Sequence, residues 1–457
     1  MKKTTSVLLC CAMILALLSG CGQSGGYKVN KDLAKAESVK LNLTGSTPSF
    51  KAMESVIASF CKLYPNCTIN YEYVQDYDKS MTTRLKNNDN VDMFITKNIT
   101  ASSDFLPYAM ELKGLGDKLN LSDTYEGLLR NFTFSENGAD VMYAVPLGGE
   151  VRGMYVNTTI LKSLNLSVPT NYSELLSCCK TLKDAGYVPL QGNPGAFGQL
   201  LMYPYVCSLI ANSSDYQGTY DKVNSCASGV SEIFREPVSR LYDMVKNGYY
   251  NYKYVETTYG YFEESTDESN VQSFLGLDKK DDGSYVKTDD VGKVAFMPAT
   301  MSLKSVLDKA IEDYHSAIEY QFILSPVGDK GGYAYLSPAS GIAINKNSQN
   351  TAWAVEFMNY LFSKDVNKTF AAEQNIISNT ADALETISST FSVSSDRVCQ
   401  LGQVTFKYVF YDVMKKALTT ISKGNNPKYM QKDGTMYDLA HYMEELENGF
   451  AEVRNGG

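Results

Sequence analysis

Tyr143-Ala-Val-Pro146-Leu-Gly148-Gly149-Glu150, Val151-Arg152-Gly-Met-Tyr155-Val-Asn157 and, after Pro169-Thr170, a helical pattern running on toward Leu190 form the stretch that places the rest of the chain. Val141, Tyr143 and Val145 alternate as in a strand up to Pro146, and a residue without an N–H ends a central strand. Gly148-Gly149 then permit unusual dihedrals, and a second strand-like run follows. A strand, a Pro/Gly break and another strand let a chain pass between two domains, so 145–150 is read as a hinge crossing.

With 457 residues the chain exceeds a single core, and two domains are expected. Hydrophobic content of 44% and charged content of 20% describe a globular protein. A net charge of −9 without a dense basic run argues against a nucleic-acid partner and leaves neutral solutes unaffected. Lys2-Lys3 precede an apolar segment, Val7 to Leu18, with the length of a signal peptide rather than a membrane span. Residues 1–20 read as the signal, and Leu18-Ser19-Gly20 before Cys21 is a bacterial lipobox pattern in which Cys21 is acylated and becomes the first residue. An ordinary secretory signal beside an incidental cysteine is the competing reading. Residues 21–37 read as the lipidated cysteine and a flexible tether, which puts the mature chain on the outer face of a membrane. Seven further cysteines, an odd number without a Cys-x-x-Cys or Cys/His cluster, read as mostly buried thiols; Cys61–Cys67 and Cys207–Cys226 are the pairs that spacing allows.

Val39–Leu43, Thr68–Val74 and Val91–Ile95 read as strands, with helices at Phe50–Phe60 and around Met81–Leu85 between them. This alternation predicts an α/β fold with a mostly parallel sheet, whose ligands bind outside the carboxyl ends of the strands. Thr44, Ser46 and Thr47 after the first strand, and Thr96, Lys97 and Asn98 after the third, are therefore candidate ligand contacts. Plain turn chemistry is the alternative for each. Glu150 and Arg152 flank the crossing and could meet hydroxyls or bridge the two halves. Gln191–Gly198 reads as a loop ending in Phe197, a possible flat platform. Tyr259 and Tyr261 border a turn-rich surface excursion, and Tyr333 and Tyr335 sit at element ends. Core packing competes with ligand contact for all of these rings, while Trp353 reads as core.

The chain resembles the carbohydrate-type extracellular solute-binding proteins of ABC importers, relatives of maltose-binding protein. The resemblance rests on Tyr143…Pro146, Tyr155-Val-Asn157, Pro169-Thr170-Asn-Tyr172-Ser-Glu174-Leu175 and Gly186-x-x-Pro189. The family usually has Trp where Tyr172 stands. Val291-Gly-Lys293-Val-Ala also matches a family strand, yet Thr300 and Met301 follow where an aromatic often stands. The resemblance implies a two-lobe type II periplasmic-binding-protein fold with discontinuous lobes. On that basis 38–146 plus 332–380 form lobe 1, 150–325 plus 385–457 form lobe 2, and the hinges lie near 146–150 and 326–331. It further implies a carbohydrate ligand, polar contacts from the Thr44 and Thr96 loops, ABC permease subunits as partners and a monomer.

Enzyme motifs are scarce. His315 and His441 fall in helical patterns, no nucleophile elbow, P-loop or zinc motif occurs, and adjacent glutamates read as solvated faces. No cofactor or metal is expected. A non-sugar solute such as a polyamine or peptide, and a surface glycan-processing enzyme, are the competing functions.

Overall fold

The computed structural model describes residues 27–47, 50–97, 99–100, 102–192, 194–250, 267–280, 284–287, 292–399 and 408–456. The signal segment and Cys21, and the site candidates Asn98, Tyr259 and Tyr261, lie outside the described residues.

β1 (Val39–Gly45) buries Leu41 and Leu43 and pairs in parallel with β2 (Cys67–Tyr73) and β3 (Met93–Thr96). The intervening helix Lys51–Leu63 turns Met53, Val56, Ile57 and Phe60 inward at helical spacing, and Tyr77–Asn87 links β2 to β3. A hairpin of β4 (Thr133–Glu136) and β5 (Ala139–Met142) precedes β6 (Val145–Pro146). The chain then enters a second sheet as β7 (Gly148–Asn157), followed there by β8 (Val188–Leu190). A small hairpin, β9 (Leu277–Lys279) with β10 (Tyr285–Lys287), leads to β11 (Val294–Thr300), β12 (Tyr320–Ile323) and β13 (Ala334–Pro338). β14 (Gly341–Ile344) returns to the first sheet, whose order is β2-β1-β3-β14-β6. β15 (Ile377–Ser378) and β16 (Val398–Cys399) rejoin the second. β7 is its spine, since β11, β12, β13 and β15 all pair antiparallel with it.

Each sheet has its own apolar core. Phe60, Phe94, Trp353 and Phe357 belong to the first, and Met154, Leu241, Phe296 and Leu418 to the second. The chain steps between them at Leu147, at Ala339–Ser340 and at Ile376–Ile377, the last pair being split one to each core. A buried crossing leaves peptide groups that must find partners. Leu147 N–H donates to Ser340 O at 2.9 Å and Ala339 N–H to Gly148 O at 2.9 Å. Two fully buried asparagines supply the rest. Asn379 Nδ2 donates to Pro146 O at 2.7 Å, and Asn367 Nδ2 to Leu147 O at 3.0 Å.

Three expectations change. The second crossing is at Ala339–Ser340, not near 326–331, because Leu336–Pro338 pair with Gly149–Val151 of the second sheet. Residues 334–338 therefore leave lobe 1, and the third crossing moves from 380–385 to Ile376–Ile377. Gly148 and Gly149 do not adopt left-handed backbone. They are small because a Cβ would lie 2.7 Å from Ile377 O at Gly148 and 2.3 Å from a Leu336 methyl at Gly149. Cys61, Cys67, Cys178, Cys179, Cys207, Cys226 and Cys399 are free thiols, and all but Cys61 are buried.

Asn379→Ala should lower unfolding free energy by about 2–4 kcal/mol in urea titrations, because the Pro146 carbonyl and the Tyr125 N–H both lose a buried partner. Asp382 gives a pH test. Lys368 at 2.6 Å, then Thr380 and Lys364, hold its carboxyl down at about 2. A folded-state value below the unfolded one adds stability above about pH 4, which is lost as pH falls toward 2. Asp382→Asn should thus cost about 1 kcal/mol at pH 7, discounted for partial exposure, and the gap to the unsubstituted protein should close between about pH 4 and pH 2.

Candidate functional site

The register at the crossings decides where the strand ends meet. Gly341 pairs with both Thr96 and Pro146, so the carboxyl end of β3 lies beside the crossing. In the second sheet Arg152 pairs with Thr300, which puts the carboxyl end of β11 within a few residues of the same crossing. Leu190 pairs with Phe296, so Gln191 at the end of β8 joins that rim. Both sheets thus present their carboxyl ends to one region. A cavity of about 1150 Å³ opens between the two cores, with Thr47, Phe50 and Lys51 on one side and Gln272, Ser305 and Tyr314 on the other.

The first-sheet rim is ordered by Tyr77, whose hydroxyl donates to Thr44 O at 3.1 Å and also to Ile95 O. Burial raises that phenol, which stays a donor at neutral pH. Thr44 is fully buried, and its Oγ1 has no hydrogen-bond partner among the described residues. Ser46, Thr47 and Lys97 are exposed, and Thr96 is buried at the end of β3. Tyr71 Oη donates to Thr47 O at 2.9 Å, which fixes the turn after β1.

On the second-sheet rim Glu150 and Arg152 occupy β7. The Arg152 guanidinium lies 5.2 Å from the Tyr203 ring centre and 5.6 Å from that of Tyr335, and it hydrogen-bonds Tyr411. Burial opposes its charge, but the surrounding Tyr335, Tyr411 and Tyr203 outweigh it and hold the group above its ordinary value. Its Nε, like Gln191 Nε2 and Asn270 Oδ1, is buried without a hydrogen-bond partner among the described residues. Ser273 Oγ donates to Gln191 Oε1 at 2.8 Å, tying the helix Asp267–Phe274 to the end of β8. Thr300 Oγ1 lies 3.1 Å from Ser302 Oγ.

Three of the five predicted rings are placed differently from expectation, and the other two lie outside the described residues. Phe197 is not on a loop. The helix Pro194–Ala211 begins before it, the ring is fully buried, and it stacks on Tyr250 at 3.8 Å. Tyr333 stacks on Tyr205 at 4.6 Å and lines a separate groove of about 300 Å³ with Glu236, Asp329 and Arg397. Tyr335 is buried edge-on against Tyr203 and reaches the site only through Arg152. Tyr259 and Tyr261 are not described. Sequence reading passed over Gln191, Asn270, Gln272 and Ser273. For Gln191 the signal was present, because the strand-end rule that selected Thr44 and Thr96 applies equally to the residue after Leu190.

Paired α/β units with a polar cavity at their facing strand ends define a solute-binding protein. The model of the family described as bacterial extracellular solute-binding protein matches residues 44–368, and the chain belongs to that family. Similar solved structures have the same fold. A binding protein of an ABC transporter from Bifidobacterium animalis subsp. lactis, solved with mannobiose, is 17% identical, with a TM-score of 0.58 over 95% of this chain and 100% of that one. A sugar transporter protein from Bacillus licheniformis, solved with stachyose, is 14% identical, with a TM-score of 0.55 over 91% and 100%. Apo RafE from Streptococcus pneumoniae is 14% identical, with a TM-score of 0.58 over 92% and 99%. No curated protein matches the chain by sequence. No helix among the described residues is long and apolar enough to cross a membrane.

Thr44→Val tests the rim. It keeps the side-chain shape and removes an unpartnered buried hydroxyl, so stability without ligand should rise by about 1 kcal/mol. Solute affinity, measured by titration calorimetry, should fall about ten-fold if that hydroxyl meets the ligand.

Proposed function

We propose that this protein is the lipid-anchored, extracellular capture component of an ABC importer, and that its solute is an oligosaccharide. The observation that carries the reading is the cavity between the two cores. It is large enough for more than one sugar ring, and the hydroxyls of Thr47 and Ser305 and the amides of Gln272 and Gln374 are among the groups that line it. Groups of that kind pair with the many hydroxyls of a sugar, while Phe50 and Tyr314 give apolar surface to ring CH groups. The mannobiose and stachyose in similar structures support the carbohydrate class. Contacts to both rims would favour a closed arrangement, with the three crossings absorbing the dihedral change, and the permease would read the closed shape. Acyl chains on Cys21 would keep the complex at the membrane.

A cationic solute is the second reading, favoured by Asp308, Glu312, Asp313 and Glu373 in the same cavity against Lys51 and Lys309. A thermal-shift panel separates the two. Neutral di- to tetrasaccharides at about 100 times Kd should stabilise the protein by about 2.7 kcal/mol and raise its melting temperature, with no hydrolysis products. A shift with polyamines and none across the saccharides would reject the carbohydrate reading.

A further inference from the structure

Chain direction separates the solute cavity from a second surface. The cavity lies at the carboxyl ends of β1–β3, whereas Tyr27–Ser38 runs past their amino ends and is fastened there. Tyr27 Oη lies 2.7 Å from Tyr64 Oη and donates to Glu356 Oε1 at 2.5 Å; Tyr64 Oη donates to the same oxygen at 2.6 Å. Burial and the adjoining Glu356 push the Tyr64 phenol up to about 12, which keeps it a donor. Asn30 N–H donates to Tyr64 Oη at 2.8 Å, and Asn66 Nδ2 donates to Leu33 O at 2.8 Å and Ala36 O at 2.9 Å. The Tyr27 ring also stands edge-on to Tyr360 at 5.0 Å. The segment is therefore a built-in strap, and it fixes where the preceding chain leaves the fold.

That exit has a distinct surface. Val29 and Leu63 are exposed apolar side chains, 39% and 38% accessible, and they flank the Asn30–Tyr64 contact. Lys28, Lys31, Lys35 and Lys62 are exposed around them, against the exposed acids Asp32 and Glu37. The corner is thus locally basic in a chain of net charge −9. Lysines ringing a small apolar patch complement an anionic bilayer surface. Chain length agrees: six residue steps separate Cys21 from Tyr27 and span at most roughly 20 Å. Leu63 and the cavity-lining Lys51 stand at opposite ends of one helix, about 18 Å apart along its axis.

We propose that the corner formed by Lys28, Val29, Lys31, Lys35, Lys62 and Leu63, at the opposite end of the helix from the solute cavity, lies against anionic phospholipid head groups. The proposal rests on the lipid-anchor reading but not on the identity of the solute.

The test uses the full acylated chain reconstituted in phosphatidylcholine vesicles with or without about 30% phosphatidylglycerol, with amide exchange read by mass spectrometry and detergent as reference. Peptides covering 28–36 and 60–66 should exchange about ten-fold more slowly on the anionic vesicles, and peptides from the cavity rims should not change. Reversing all four lysines (K28E, K31E, K35E, K62E) should abolish the slowing and leave the ligand-free melting temperature in place. An acylated chain whose corner exchanges as it does in detergent overturns the membrane surface and leaves the anchor standing. Equal slowing on phosphatidylcholine alone, or in the reversed variant, overturns it as well. So does slowing that grows with protein concentration without vesicles, which would assign the patch to a second copy. Intact mass from the same samples reads Cys21, and a cysteine without acyl chains overturns the anchor and this proposal together.

Discussion

Peptide groups that leave one sheet before they enter the next cannot be left dry, and this requirement shapes the middle of the molecule. Leu147, Gly148, Ala339 and Ser340 satisfy one another across two crossings, and Asn367 and Asn379 satisfy what remains at Pro146 and Leu147. The same contacts explain the local composition. A Cβ would run into the Ile377 carbonyl at Gly148 and into the Leu336 side chain at Gly149, so the glycines answer to packing rather than to an unusual dihedral. They also explain the geometry of the site. Pairing Gly341 with Thr96, and Arg152 with Thr300, fixes the strand ends of both sheets around the junction.

Most of the fold was legible because its signals are local. Alternation at Val39–Leu43, helical spacing over Met53–Phe60, the proline at 146 and the motif from Tyr155-Val-Asn157 to Leu175 each depend on a few neighbouring residues. The later crossings were not legible, for a physical reason. Ala334–Pro338 reads as a strand in either sheet, and only its partner, Gly149–Val151, nearly two hundred positions earlier, decides between them. Of the residues the strand-end rule picked out, Thr47 lines the cavity. The rule could not find Gln272, which comes to the cavity from a helix that the Ser273–Gln191 contact ties to the end of β8. Phe197 shows the opposite failure. Glycine and proline ahead of a ring look like a loop, but Pro194 suits the first position of a helix, and the ring turns inward onto Tyr250.

The two arginines of the second core differ in how their hydrogen-bonding capacity is used although their aromatic surroundings look alike. Arg240 lies over the Tyr172 ring at 4.6 Å and the Tyr205 ring at 5.3 Å, much as Arg152 lies over Tyr203 and Tyr335. Arg240 also donates to Val327 O and pairs with Glu236 and Asp329, so its hydrogen-bonding capacity is well used inside the fold. For Arg152 no carboxylate pairs with the guanidinium among the described residues, and Nε has no acceptor there. Aromatic faces offset part of the cost of burying a cation but do not accept its N–H groups in the plane of the guanidinium. The contrast between two tyrosine-lined arginines in one core is therefore one of hydrogen-bonding capacity, used inside the fold at Arg240 and left open at Arg152 Nε among the described residues.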